Sequence, residues 1–169
     1  MQAESIQPQA LLDRVLEREN LQRALKQVRR NQGAPGIDGM TVDDLPDYLR
    51  HHWPALRAQL QSGTYRPQPV RRVEIPKPDG KTRPLSIPTV LDRFIQQAIA
   101  QVVSAQWEPH FHPHSYGFRP QRSAHQAVRH VQANIREGWG WVVDIDLHAF
   151  FDRVNHDLLM VRFKSRCHD

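Results

Sequence analysis

The chain has 169 residues, 39% of them hydrophobic and 24% charged, which suits a folded core and excludes a disordered or low-complexity polymer. Lys plus Arg outnumber Asp plus Glu by 23 to 18, and the sequence pI of about 9.9 favours an anionic partner, most simply nucleic acid. Cys167 is the sole cysteine, so no internal disulfide is available, and no apolar run is long enough to span a membrane.

Met1 to Ala10 is polar and lacks the apolar core of a signal peptide, so a cytoplasmic location is expected. Leu11 to Arg30 is predicted to be one helix. Leu21, Leu25 and Val28 share a face, and Arg23, Lys26 and Arg30 cluster opposite. That basic stripe is either a solvated face or a phosphate-contacting one. Asn31 to Gly39 holds three glycines and a proline and reads as a loop. Thr41 and Asp44 resemble a capping box ahead of a second helix, expected to run to Gln61 and to end at Gly63. Pro46 fits its first turn, while Pro54 should kink or break it.

Val70 to Lys77 and Thr82 to Ile87 read as the strands of a hairpin around Asp79-Gly80. A three-residue loop, Asp79 to Lys81, would pair Lys77 with Arg83 and set both cations on one face. A two-residue Asp-Gly turn would put them on opposite faces. Two cations at a hairpin tip suit a triphosphate, with Arg as a fork and Lys as a point charge. They equally suit an exposed edge protected by charge.

Thr89 to Trp107 is predicted to be a long helix with Leu91, Ile95, Ile99 and Val102 on its buried stripe. Pro109 to Pro120 is a loop rich in His and aromatic residues. His110, His112 and His114 alternate there, but no second ligand cluster completes a closed zinc site. In Ser115 to Ala124, aromatics beside arginines can stack on bases and hold phosphates, or pack at a core edge. Ser123 should cap a helix to about Glu137. Gly138 to Gly140 then turns into a predicted strand, Trp141 to Leu147, and Asn155 or His156 begins a last helix. On a strand, Asp144 and Asp146 would point to one face. Alone, such a pair binds metal, caps the following turn or pairs with nearby arginines. The order of elements is an α+β pattern.

Four blocks together resemble the N-terminal part of a group II intron reverse transcriptase/maturase, over roughly Leu21 to Phe163. They are N-Q-G-A-P-G-I-D-G from Asn31, I-P-K-P-D-G-K-T-R-P-L-S-I-P-T-V-L-D-R from Ile75, S-Y-G-F-R-P-Q-R-S-A-H-Q-A-V from Ser115, and V-V-D-I-D-L-H-A-F-F-D-R-V-N-H-D from Val142. Their order and spacing make the match specific. The resemblance implies the fingers and partial palm of a right-hand polymerase. Residues 1–62 would be a helical N-terminal extension, 63–138 the fingers and 139–169 the start of the palm.

The resemblance also implies roles. Asp146 would be the first catalytic aspartate and a Mg²⁺ ligand, with the backbone carbonyl of Ile145 or Leu147 as a further oxygen. Lys77, Arg83 and Phe151 would hold the deoxynucleoside triphosphate, with Phe151 beneath the sugar. Arg23, Lys26, Arg30, Tyr116, Arg119 and Arg122 would touch template or intron RNA. The implied partners are intron RNA, template RNA, a DNA primer and the rest of the palm and thumb, with self-association a further option. His148-Ala149 departs from the family's frequent Glu-Lys. No Tyr-x-Asp-Asp occurs in these residues, and two Mg²⁺ about 3.5–4 Å apart need more than one carboxylate. This chain alone is therefore expected to lack polymerase activity and to be poorly soluble without a partner for its Asp-bearing strand. A non-catalytic RNA-binding module and a retron or host-defence reverse transcriptase are the alternative readings.

Overall fold

A computed structural model describes residues 8–76, 78 and 80–165. The elements are α1 (Pro8–Val15), α2 (Arg18–Asn31), α3 (Leu45–Gln61), β1 (Arg71–Pro76), β2 (Thr82–Ile87), α4 (Val90–Trp107), a 3-10 turn (Glu108–His110), α5 (Ala124–Arg136), α6 (Phe150–Arg153) and α7 (His156–Lys164). Two compact units result. The first runs to Ser104 and the second begins at Ala105. The mixture of helices with one small sheet agrees with the expected α+β class. No helix among the described residues is long and apolar enough to cross a membrane.

In the first unit, Leu11, Val15, Leu16, Val28, Leu45, Leu56, Val90, Phe94 and Val102 form the core. The single helix expected over Leu11 to Arg30 is two helices. Glu17 takes an extended conformation between them, which lets α1 turn and bury Leu11, Val15 and Leu16. Asn20 makes that turn tolerable. Its amide donates to the carbonyls of Val15 (2.9 Å) and Ala98 (3.0 Å), and its Oδ1 accepts from Gln101 (2.7 Å), so a buried polar side chain is satisfied.

Thr41 and Asp44 form the reciprocal box. The Asp44 carboxylate accepts the Thr41 N–H at 2.9 Å, and the Thr41 hydroxyl accepts the Asp44 N–H at 3.4 Å. α3 then continues through Pro54, so the break that the proline allowed does not occur. Arg50 and Pro54 are both exposed, so water can satisfy the carbonyl that proline leaves free. Gly63, with φ of +67°, follows its end.

α4 is rotated from the expected stripe. Phe94, Ile95, Ala98 and Val102 are buried, whereas Ile99 is 42% exposed. The buried side is set by the Asn20 and Gln101 contacts and by Trp53 of α3. Trp53 meets the Phe94 ring edge-on at 6.2 Å.

In the second unit, α5 begins with a full capping box. Gln126 N–H donates to the Ser123 hydroxyl and Ser123 N–H donates to the Gln126 side chain at 2.8 Å. Asn155 caps α7 through the Leu158 N–H at 3.0 Å. The predicted strand Trp141 to Leu147 does not form. Among the described residues the only sheet is β1 with β2, and 141–147 has no regular structure. Apolar character alone does not make a strand; a backbone partner must satisfy its ladder.

Candidate functional site

β1 and β2 pair antiparallel, with Pro76 opposite Thr82, Ile75 opposite Arg83 and Val73 opposite Leu85. The connection is therefore five residues, 77–81, and neither short turn considered from the sequence occurs. Arg83 faces Ile75 rather than Lys77, and Lys77 itself lies outside the described residues. One face of the ladder carries Val73, Ile75, Arg83, Leu85 and Ile87. Arg83 is exposed and has no side-chain partner among the described residues. Pro84 sits opposite Glu74, a position open to proline only because its missing N–H points away from the ladder.

The residues at the base of the hairpin converge on Asp92, which is 2% exposed. Its carboxylate accepts from the Tyr65 hydroxyl (2.6 Å), the Thr89 hydroxyl (2.6 Å) and the Gln68 N–H (3.1 Å). The Thr89 hydroxyl in turn accepts the Asp92 N–H at 3.1 Å and caps α4. Burial first, and then the adjacent Asp92 carboxylate, pushes the Tyr65 phenol well above its ordinary value. The sequence signal for this cluster was Thr89-x-x-Asp92, the same spacing as the Thr41 box.

A second feature of this unit is a basic pocket of about 600 Å³ at the end of α2. Lys26, Arg29 and Arg30 line it with Gly33, Ala34 and Pro35 of the glycine loop. Lys26 and Arg30 thus come together, while Arg23 lies outside the pocket lining and donates to Asn20 at 3.3 Å. Arg29 was not singled out from the sequence, although 26, 29 and 30 are the i, i+3, i+4 positions of one helical face. Arg29 approaches Asp43 at 3.4 Å in an exposed pair, which restrains it little. Arg93 of α4 holds the loop by donating to the carbonyls of Ala34 (2.8 Å) and Gly33 (3.4 Å). Gly36 is required by close approach. A Cβ there would lie 2.6 Å from the Thr89 Cα.

In the second unit, the Ser115–Ala124 loop is organised by Arg119, whose side chain is 7% exposed. It donates to the Glu108 carboxylate (2.8 and 3.1 Å) and to the carbonyls of His112 and Ser115 (2.8 Å each), and it lies 5.3 Å from the Phe111 ring centre. Its donors face inward, so its shown work is to shape the loop. Tyr116 and Arg122 form a separate pair, with the guanidinium 5.6 Å from the ring centre. His114 lies between His112 and His130, at ring separations of 5.0 and 3.8 Å. Desolvation, then His130, His112 and Arg122, lower its pKa.

Asp144, Ile145, Asp146 and Leu147 are exposed in the irregular segment. Phe150 and Phe151 follow in α6, rings 5.6 Å apart, after Ala149 adopts a left-handed φ of +48°. Among the described residues no group of three or more His, Cys, Asp or Glu is placed to hold a metal ion. These residues do not by themselves form a two-ion Mg²⁺ site.

Comparison with known proteins adds the family. Residues 75–167 match the model of the family described as Reverse transcriptase (RNA-dependent DNA polymerase). The chain is 40% identical over 171 residues to Protein YkfC of Escherichia coli (strain K12), covering 98% of this chain and 45% of that protein. It is 36% identical over 138 residues to the Group II intron-encoded protein LtrA of Lactococcus lactis subsp. cremoris, covering 81% of this chain and 23% of that protein. A third relative is the Uncharacterized 91 kDa protein in cob intron of Schizosaccharomyces pombe, 34% identical over 133 residues, covering 79% and 15%. The chain spans less than half the length of these curated relatives.

Proposed function

Because this chain belongs to the reverse transcriptase family, on the side of the group II intron-encoded proteins and intron maturases, we propose that it supplies the nucleotide-binding and RNA-binding front of an RNA-directed DNA polymerase that assists intron splicing and mobility. Residues 1–62 serve as the N-terminal extension, 63–138 as fingers and 139–169 as the start of a right-hand palm. Reverse transcriptases use Mg²⁺ and deoxynucleoside triphosphates, and the metal supplies charge neutralisation at the reacting phosphate. Asp146 offers one carboxylate to that centre, with the carbonyl of Ile145 or Leu147 beside it, and the remaining ligands come from outside these residues.

The observation that carries the reading is the hairpin. Arg83 stands exposed and unpartnered among the described residues, on a ladder with a fixed register. A free guanidinium there can fork onto a triphosphate, with Lys77 adding a point charge. Phe151, exposed in α6, fits the platform beneath the sugar. Lys26, Arg29 and Arg30 line a pocket suited to RNA phosphates, and Arg23 extends the basic surface. Tyr116 and Arg122 present a ring and a cation for template bases, on a loop shaped by Arg119.

Primer extension on an RNA template tests the proposal. The chain alone is expected to be inactive. Adding a polypeptide that carries the remaining palm with Tyr-x-Asp-Asp is expected to restore synthesis, and Asp146→Ala is expected to abolish it. The basic pocket favours one second reading, a non-catalytic RNA-binding module. Salt-sensitive RNA binding, with no synthesis under either condition, would select it.

A further inference from the structure

We infer that Asp92 is the positioning residue of the nucleotide-binding hairpin, its one carboxylate tethering both legs of the ladder to the start of α4; this rests on the reading of Arg83 as a triphosphate contact. Gln68, bonded through its N–H, lies three residues before β1, and Thr89, bonded through its hydroxyl, lies two residues after β2. Tyr65 adds a third bond from farther back along the incoming leg. The chain enters and leaves the hairpin through contacts with the same two oxygens.

Little else fixes the direction of this arm. Every residue of the two strands is exposed or only half-buried, so packing along its length is slight. The aim of Arg83 is then set at the base. A small rotation there is magnified at the tip, and a misdirected guanidinium loses its fork geometry on a phosphate. The base itself is rigid for three reasons. Asp92 is buried, it receives three donors, and it sits in the first turn of α4, where the helix dipole favours a carboxylate. The raised pKa of Tyr65 is consistent with a neutral phenol locked against that carboxylate.

The test uses amide hydrogen exchange of the intact chain, together with the KM for dTTP of the enzyme completed by the remaining palm. Asp92→Asn turns an amide toward donors, and Thr89→Val removes one leg's bond at similar volume. Both are expected to speed exchange in β1 and β2 by about tenfold while leaving α2 and the middle of α4 protected. Both should raise KM by about tenfold with kcat within about twofold, and Thr89→Ser should restore each value. Unchanged hairpin exchange would overturn the inference. So would equal loosening of hairpin and core in every variant, which would make the cluster a general support of the fold. Arg83→Ala separates the two levels. If it leaves the dTTP KM unchanged, the nucleotide reading fails, and the exchange data still decide whether Asp92 holds the arm.

Discussion

Phe94 and Val90 in the first unit are 2% and 0% exposed, whereas Trp141 and Phe151 in the second are 97% and 88% exposed. Both units are rich in apolar residues, so composition does not explain the contrast. The first unit's apolar residues lie on amphipathic helices that find one another, and its buried polar groups, Asn20 and Asp92, are each multiply bonded. The second unit's helices are well capped, yet Val128, Val131, Ile135, Leu158 and Met160 remain open to solvent. Caps and propensity define where a helix starts and stops. They do not supply the surface that its apolar side needs.

The largest expected effect that could break this comparison is in the cores. Phe94→Ala should cost about 3–5 kcal/mol in urea denaturation of the first unit. Trp141→Ala should change stability by less than about 0.5 kcal/mol. Similar losses at the two positions would show that the second unit buries its aromatics in solution.

A smaller effect sharpens the account of close approach. Gly36→Ala places a methyl against the Thr89 backbone and should destabilise the first unit by about 1–3 kcal/mol. Gly140→Ala, with open space around it, serves as the control.

The smallest effect is a matter of pH. The Tyr65 phenol is raised above the ordinary 10.0, so the stability it contributes is complete below that value and is lost as pH climbs toward the folded-state value. Absorbance titration should find one phenol that resists ionisation until the first unit unfolds, and Tyr65→Phe should remove that step. A phenol titrating freely in the folded chain would break the Asp92 contact.

What could be read in the sequence was local. Ser123 and the Thr41 box announce themselves through residues three apart, Asn155 through its residue type at the start of a helix, and β1 and β2 through the Asp-Gly signal between two strand-like runs. What could not be read depended on partners distant in sequence. The break at Glu17 follows from where Asn20 meets Ala98, and the buried side of α4 follows from the same contact. The Ile75–Arg83 register was hidden because loop length, not strand composition, decides it. Trp141 to Leu147 has strand chemistry without a partner among the described residues. Of the candidate residues, Arg83, Tyr116 and Arg122 were named from the sequence by residue type alone, whereas the Tyr116–Arg122 pairing, the inward turn of Arg119 and the contribution of Arg29 needed the fold.

Pro84 carries one last consequence, for self-assembly. The outer border of β2 offers one donor fewer than a regular strand, near the middle of its length. A foreign strand laid along that border would meet a gap where it needed a bond. Templated growth is therefore disfavoured along the β2 border of the arm. At high concentration, nucleation of aggregates should pass instead through 141–147, so two or three charged substitutions there would slow it while leaving the arm as it is.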